Sequence, residues 1–597
     1  MASMAFTLLH TLAIADARAH LVSVETTVRS DAPLAAPLVL FMPVWTPGSY
    51  LVREYARHVE GVHGFADGRP CEVVKVRKNA WRVGGAGSRE LSFRYRVYCN
   101  ELTVRTNHVD ESHALLNGAA VFVAIEGHEG TAATVEVGLP AGWEIRTALP
   151  RAKAEADGDG CVRLYAKDLD ALVDAPLELG ELRTERIVVK EVPHEVVLWP
   201  RDRAEDAQVA SLLRDFGTIV ETESAWFGGT LPYERYTALL HLSPRARGGL
   251  EHLSSAALIA SPNAFATRDG YLDLLSLFAH ELFHAWNVKR IRPRGLSPYR
   301  YQEENYTRLL WWFEGATSYY DWRTLRRAAL CTEGEYLEHL AAEIVAMDRV
   351  HGRRVQPLEL ASFDAWIKLY RPDENSDNSS VSYYRKGEIV CALLDVEIRA
   401  RTQGRASLDT VLGHLWERHG KIGEPVPEDG MQALFEEATG AKLGDLFDAW
   451  IRSPGEIDYD LSLAKVGMRI DREPREEKEG AEKKSRAALG VRVRTEGGRA
   501  VVATVTRGSA AQLGGMDPGD ELIAIAGRRI EGGVIDAALV SRAPHEDVEV
   551  TVARDGRLLA LRVRLEEARP DKIRIVPRAS ATEAERALGV SWLASMT

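Results

Sequence analysis

The sequence predicts a multidomain α+β chain with three parts: an N-terminal β-sandwich-like domain, a mainly helical middle, and a small β-rich domain near the C-terminus. Three observations predict it. Glu90 to Val97 alternates strictly, with Leu91, Phe93, Tyr95 and Val97 on one face, which is the period of a half-buried strand. From residue 207 the apolar residues recur at three and four, the period of a helix. Residues 471–486 are nearly all charged and carry no hydrophobic period, so they read as a solvated linker between packed units. At 597 residues the chain is also too long for one core.

Composition narrows the function. Hydrophobic residues at 45% and charged residues at 27% describe an ordinary globular protein. The net charge of 75 − 87 = −12 argues against a nucleic-acid partner. No apolar run approaches the roughly 18 residues needed to span a membrane. Cys71, Cys99, Cys161, Cys331 and Cys391 are scattered and odd in number, which argues against a disulfide framework and against a cysteine-built metal site. Residues 1–19 are apolar and faintly leader-like, but they lack a basic start and are interrupted by His10, Asp16 and Arg18. The expected location is cytoplasmic, with a periplasmic one as the alternative.

Taken in order, residues 1–182 form the N-terminal β domain. Within it, Pro43 to Tyr50 is a rigid aromatic loop, expected to be a corner that plugs the sandwich, with ligand contact as the alternative. Residues 183–470 form the second domain. It opens with a helix over 207–227 and a strand over 236–242, and continues with a helix over 273–287 and another over 309–321. The linker (471–486) leads to the small domain (487–567), with short strands near 490–493, 500–505, 521–526 and 548–553. A tail (568–597) carries a short amphipathic helix that docks back on the body.

The chemistry centres on His280-Glu281-Leu282-Phe283-His284. On a helix, residues four apart share one face, so His280 and His284 can offer two imidazole nitrogens to one metal ion. A catalytic zinc takes three protein ligands and keeps one position open. Glu314 is the best third ligand, because a carboxylate among Trp311, Trp312 and Phe313 is costly without a cation. Gly315 beside it would let a substrate approach. Glu303 and Glu304, in a polar stretch, are the alternatives. Glu281 is placed to act as general base on a metal-polarised water. Tyr383 and Tyr384, ahead of Lys386-Gly387, are candidate donors to an oxyanion. Gly248-Gly249-Leu250-Glu251 would let an extended substrate backbone come close, with Glu251 able to bind a cation; a plain edge-strand turn is the other reading. The basic run from Lys289 to Arg294 either complements the end of the motif helix or holds a substrate carboxylate.

Together these strings resemble the aminopeptidase N class of zinc metallopeptidases, and more closely the bacterial glycyl aminopeptidase family with a C-terminal PDZ domain. The resemblance runs from Pro43-x-Trp45-x-Pro47-Gly48-Ser49-Tyr50 through His284-Ala285-Trp286-Asn287 to Leu489-Gly490-Val491 and Ser509 to Ile523. It implies a thermolysin-like catalytic domain with one zinc per chain on His280, His284 and Glu314. It implies Glu281 as base, Tyr384 as oxyanion donor, and Glu251, beside Gly248 and Gly249, as anchor for a substrate's free amine. It also implies a PDZ loop at Leu489, Gly490 and Val491 that takes a peptide C-terminus. One departure stands out: the aspartate expected four residues after the ligand glutamate is replaced by Ser318, and Asp321 lies seven after it. The expected activity is removal of small N-terminal residues, glycine or alanine, from peptides. The alternatives are a zinc endopeptidase and a PDZ-based peptide-binding scaffold with a vestigial zinc site.

Overall fold

The computed structural model describes residues 6–152, 161–244, 246–472, 487–530 and 535–595. The expected linker, 471–486, falls almost entirely outside these residues.

The N-terminal domain is built on a seven-stranded sheet in the order Cys161–Ala166, Ala133–Gly138, Phe6–Asp16, Leu21–Ser30, Glu90–Tyr98, Val59–Ala66, Arg69–Cys71. Leu91, Phe93, Tyr95 and Val97 all point into its core, as their alternation requires. The leader-like stretch contributes an interior strand from Phe6 to Asp16, parallel to Ala133–Gly138 and antiparallel to Leu21–Ser30. Two four-stranded sheets complete the domain. All five cysteines are free thiols.

A five-stranded sheet opens the catalytic region, in the order Arg183–Val189, Val192–Trp199, Tyr236–Leu242, Ser255–Ala260, Gly248–Glu251. Its inner pairs are parallel, and the first, Val192–Trp199 with Tyr236–Leu242, is joined by the crossover helix Asp206–Trp226, which buries Val209, Leu212, Phe216, Ile219 and Val220. Gly248–Glu251 is the antiparallel edge strand. Beyond it lie the motif helix Arg268–Phe283, the helix Gly315–Arg327 and the long helix Arg385–Thr402, which share one large core. None of the described helices is long and apolar enough to cross a membrane.

Two features change the organisation read from sequence. Trp45 and Tyr50 pack into the catalytic core: the Trp45 ring meets Trp366 edge-on and its indole N–H donates to Arg300 O. The Pro43–Tyr50 loop therefore corrects the expectation of a corner inside the sandwich; it joins the two domains. The PDZ unit has its own core but is bracketed by the catalytic body rather than appended to it. Met468–Asp471, just before it, pairs antiparallel with Arg574–Pro577, just after it. The helix Glu583–Leu593 then returns Trp592 to full burial beside Tyr336, with the Trp592 carbonyl accepting from Arg323.

Candidate metal centre and substrate cleft

The motif helix starts at Thr267, whose hydroxyl accepts from Gly270 N, and ends at His284. One turn thus separates His280 from His284, with ring centroids 4.8 Å apart. The chain re-enters a helix at Leu310, and Glu314 sits at the joint between Leu310–Phe313 and Gly315–Arg327. One oxygen of Glu314 lies 3.2 Å from His284 Nε2 and 3.8 Å from His280 Nε2. The donor atoms of the three residues converge within 4.8 Å of one another.

Both imidazoles are aimed by their far nitrogens. His280 Nδ1 lies 3.1 Å from Asp321 Oδ2, and His284 Nδ1 bonds the Asn287 carbonyl at 2.8 Å. Asn287 is tied in turn to Thr317 Oγ1 and Trp312 O. Asp321 thus occupies the orienting role that Ser318 cannot fill. Seven residues is two helical turns, so Asp321 and Glu314 stay on the same face of their helix. Glu303, by contrast, is exposed and paired with Arg300.

Four carboxylates, of Glu251, Glu281, Glu314 and Asp321, surround the two histidines. Burial pushes the Glu281 carboxyl up to about 7 against the pull of His280 and His284. Burial also acts to raise Glu314, but His284 and His280 outweigh it and hold its carboxyl well below the usual range. Glu281 Oε2 and Glu314 Oε1 are buried with no hydrogen-bond partner. Clustered buried carboxylates with unpartnered oxygens, beside two imidazoles, fit a dication.

Glu251, Glu281 and His284 form a second group whose donor atoms lie within 4.8 Å. The edge strand runs directly beside the motif helix, since a β-carbon at Gly249 would overlap the Glu281 carboxylate. Gly48, at φ +85°, brings the Pro43–Tyr50 loop against Glu251 just as closely. Tyr384 stands over His280, with ring centroids 6.4 Å apart, and its hydroxyl is 3.1 Å from that of Tyr370. Tyr383 is fully buried beneath it.

Gly315 corrects the expectation that it admits substrate. An added β-carbon would sit 2.5 Å from Gly387 Cα, so the glycine pair lets the helix Arg385–Thr402 approach and brings Tyr384 to the cleft. The basic run serves structure. Lys289 pairs with Asp174 of the N-terminal domain at 2.8 Å, and Arg290 caps the motif helix through Ala285 O. Sequence reasoning missed Arg105 and Tyr370. Arg105 donates to Gly249 O at 3.3 Å; burial disfavours its charge, but Tyr370, Tyr384, Glu281 and Glu251 outweigh that and raise its pKa. These two come from distant strings with no local motif.

The PDZ loop is also placed. Gly490, at φ +77°, packs on Ser509, and Val491–Glu496 is an edge strand of its sheet. The same end of the sheet touches the catalytic body: Asn378 donates to Val505 O and accepts from Arg507 N.

This fold and its two-histidine, one-glutamate cluster are those of a metallopeptidase. Residues 10–181 match the Peptidase M61 N-terminal domain, 273–390 the M61 glycyl aminopeptidase, and 487–565 a PDZ domain. The chain belongs to the M61 glycyl aminopeptidase family. Among solved structures it is similar to an aminopeptidase N family protein from Idiomarina loihiensis, at 26% identity and a TM-score of 0.89, over 98% of this chain and 100% of that one. A more distant likeness is an M1 zinc metallopeptidase from Deinococcus radiodurans, at 16% identity and a TM-score of 0.47, over 76% of this chain and 94% of that one. No curated protein matches the chain.

Proposed function

We propose that the protein releases small N-terminal residues, glycine or alanine, from peptides with a free amino terminus. His280, His284 and Glu314 would hold one zinc. Bound there, zinc supplies Lewis-acid polarisation of the scissile carbonyl and of the attacking water. Glu281 takes the proton from that water and returns it to the leaving amine, a role suited to a carboxyl poised near neutrality. The Tyr384 hydroxyl donates to the oxyanion as charge develops there. Glu251 pairs with the substrate's α-ammonium, while Gly248 and Gly249 admit its backbone and Arg105 braces the edge strand through Gly249 O.

The observation that carries an exopeptidase reading is the close approach of Gly48 to Glu251 and Leu250, where an added β-carbon would overlap both side chains. On this reading the loop is the wall that ends the cleft beyond the amine anchor and bars a further substrate residue on that side. At the PDZ unit, Leu489, Gly490 and Val491 with the adjoining edge strand are suited to take a peptide C-terminus.

The test is hydrolysis of glycyl- and alanyl-anilides beside their N-acetylated forms, with and without a chelator. Cleavage of the free-amine substrates alone, lost on chelation, is expected. Glu281→Gln should lower kcat by at least about 100-fold, the scale of general base catalysis, with zinc retained. Cleavage of the acetylated substrates would instead make the protein an endopeptidase, and full turnover by Glu281→Gln would remove the base.

A further inference from the structure

A second histidine–carboxylate cluster lies at the seam between the N-terminal domain and the catalytic sheet. His113 is on the strand His113–Leu116 and Glu178 on its antiparallel neighbour Leu177–Gly180. His241 comes from the other side, on the interior strand Tyr236–Leu242. Their donor atoms converge within 4.8 Å of one another, and the side chains are 0%, 1% and 1% exposed respectively.

The polar atoms of this cluster do not satisfy one another. His241 Nε2 is 3.0 Å from Glu178 Oε2, yet their orientation does not make a hydrogen bond. Both oxygens of Glu178, both ring nitrogens of His241 and Nε2 of His113 are buried with no hydrogen-bond partner. A simple ion pair would turn an imidazole N–H toward the carboxylate, which is the cheapest way to bury either group. Here an anionic group and two imidazoles face one point without donating to each other. His113 is held in that pose from behind: its Nδ1 lies 3.2 Å from Ser112 Oγ and 3.5 Å from Asp110 Oδ1, and Trp199 stacks on its ring at 3.4 Å. A far-side partner that fixes the tautomer and orientation of a ring is what metal-binding histidines characteristically have.

We infer that His113, Glu178 and His241 bind a second divalent ion of the zinc class, distinct from the catalytic one and joining the two domains. The donors are two imidazoles and a carboxylate, a set that suits zinc better than calcium or magnesium. With two unpartnered oxygens, Glu178 can complete the coordination itself, as in closed structural sites that leave no position for substrate. None of these residues belongs to the catalytic cluster, so this inference stands apart from the proposed reaction.

The test is metal analysis of the full-length protein after saturation with zinc and removal of free metal. The wild type should hold two equivalents and the His280→Ala/His284→Ala variant one. Glu178→Gln, which keeps the shape but not the charge, should also fall to one, while turnover of a glycyl-anilide stays within about twofold of wild type. Diffraction at the zinc edge should place a second anomalous peak among His113, Glu178 and His241. A catalytic-site variant holding no zinc, or a wild type holding one equivalent with no second peak, overturns the inference. Should Glu178→Gln fail to fold, cobalt absorption of the catalytic-site variant gives the same decision, since no bound cobalt there means no second site.

Discussion

Asp321 shows how much a single side chain contributes at this site. It sits behind His280 and, on the proposed function, sets which nitrogen would face a bound metal. Asp321→Asn should therefore weaken zinc binding by about 10- to 100-fold, read by competition with a chromogenic chelator, while far-ultraviolet circular dichroism stays unchanged. Lys386 illustrates the opposite case, a charge that costs stability. Its ammonium is buried with no hydrogen-bond partner among Met347, Arg353 and Tyr459. Burial first, then Arg353, brings its pKa down from 10.5 to about 8. Above pH 8 the folded side chain is neutral while the unfolded one stays protonated up to about 10.5, so the unfolded state binds more protons and stability rises with pH across that window. Below pH 8 the penalty is fully present. Lys386→Met should accordingly stabilise the protein at pH 7 by up to about 3 kcal/mol, and this advantage should fade by pH 10.5 in denaturant titrations.

At the scale of elements, the cleft depends on two close approaches made by glycines. The helices carrying Glu314 and Tyr384 meet where Gly315 faces Gly387, and a β-carbon at Gly387 would lie 2.7 Å from Trp311 O. Both obstacles are backbone, which cannot swing aside. Gly315→Ala should cost about 1–3 kcal/mol in denaturant titrations, the range for overpacking. It should also lower kcat more than it raises KM, because Tyr384 would move relative to His280, His284 and Glu314. The second approach, of the edge strand to Glu281, places Gly249 against the Glu281 carboxylate, the arrangement the proposed backbone track and base require.

On the scale of the whole molecule, the PDZ unit is an insertion. Its flanking strands pair with each other, Asp471 opposite Arg574, so the body closes without it. Joining residue 471 to 574 by a short turn should yield a folded, zinc-binding protein that still cleaves a glycyl-anilide. Truncation before residue 583 should do the reverse and unfold the catalytic body, because it removes fully buried Trp592; Trp592→Ala alone should cost about 3–5 kcal/mol in thermal or denaturant unfolding. Survival of the truncated protein, or collapse of the excised one, would refute this division of the chain.

The cluster proposed as the metal centre was legible along the chain because it follows helical spacing. His280, Glu281 and His284 need only one turn of helix, and the carboxylate of Glu314, set among Trp311, Trp312 and Phe313, already asked for a cation. Alternation likewise marked Glu90–Tyr98 as a strand with one buried face. What surrounds the metal centre was decided by the tertiary structure alone. Arg105 and Tyr370 reach the cleft from strings with no shared period, and His113, Glu178 and His241 meet across a domain seam from three separate strands. Local sequence carries the periods of helix and strand. It does not carry the packing of one domain on another, which follows from shape and burial summed over the whole fold.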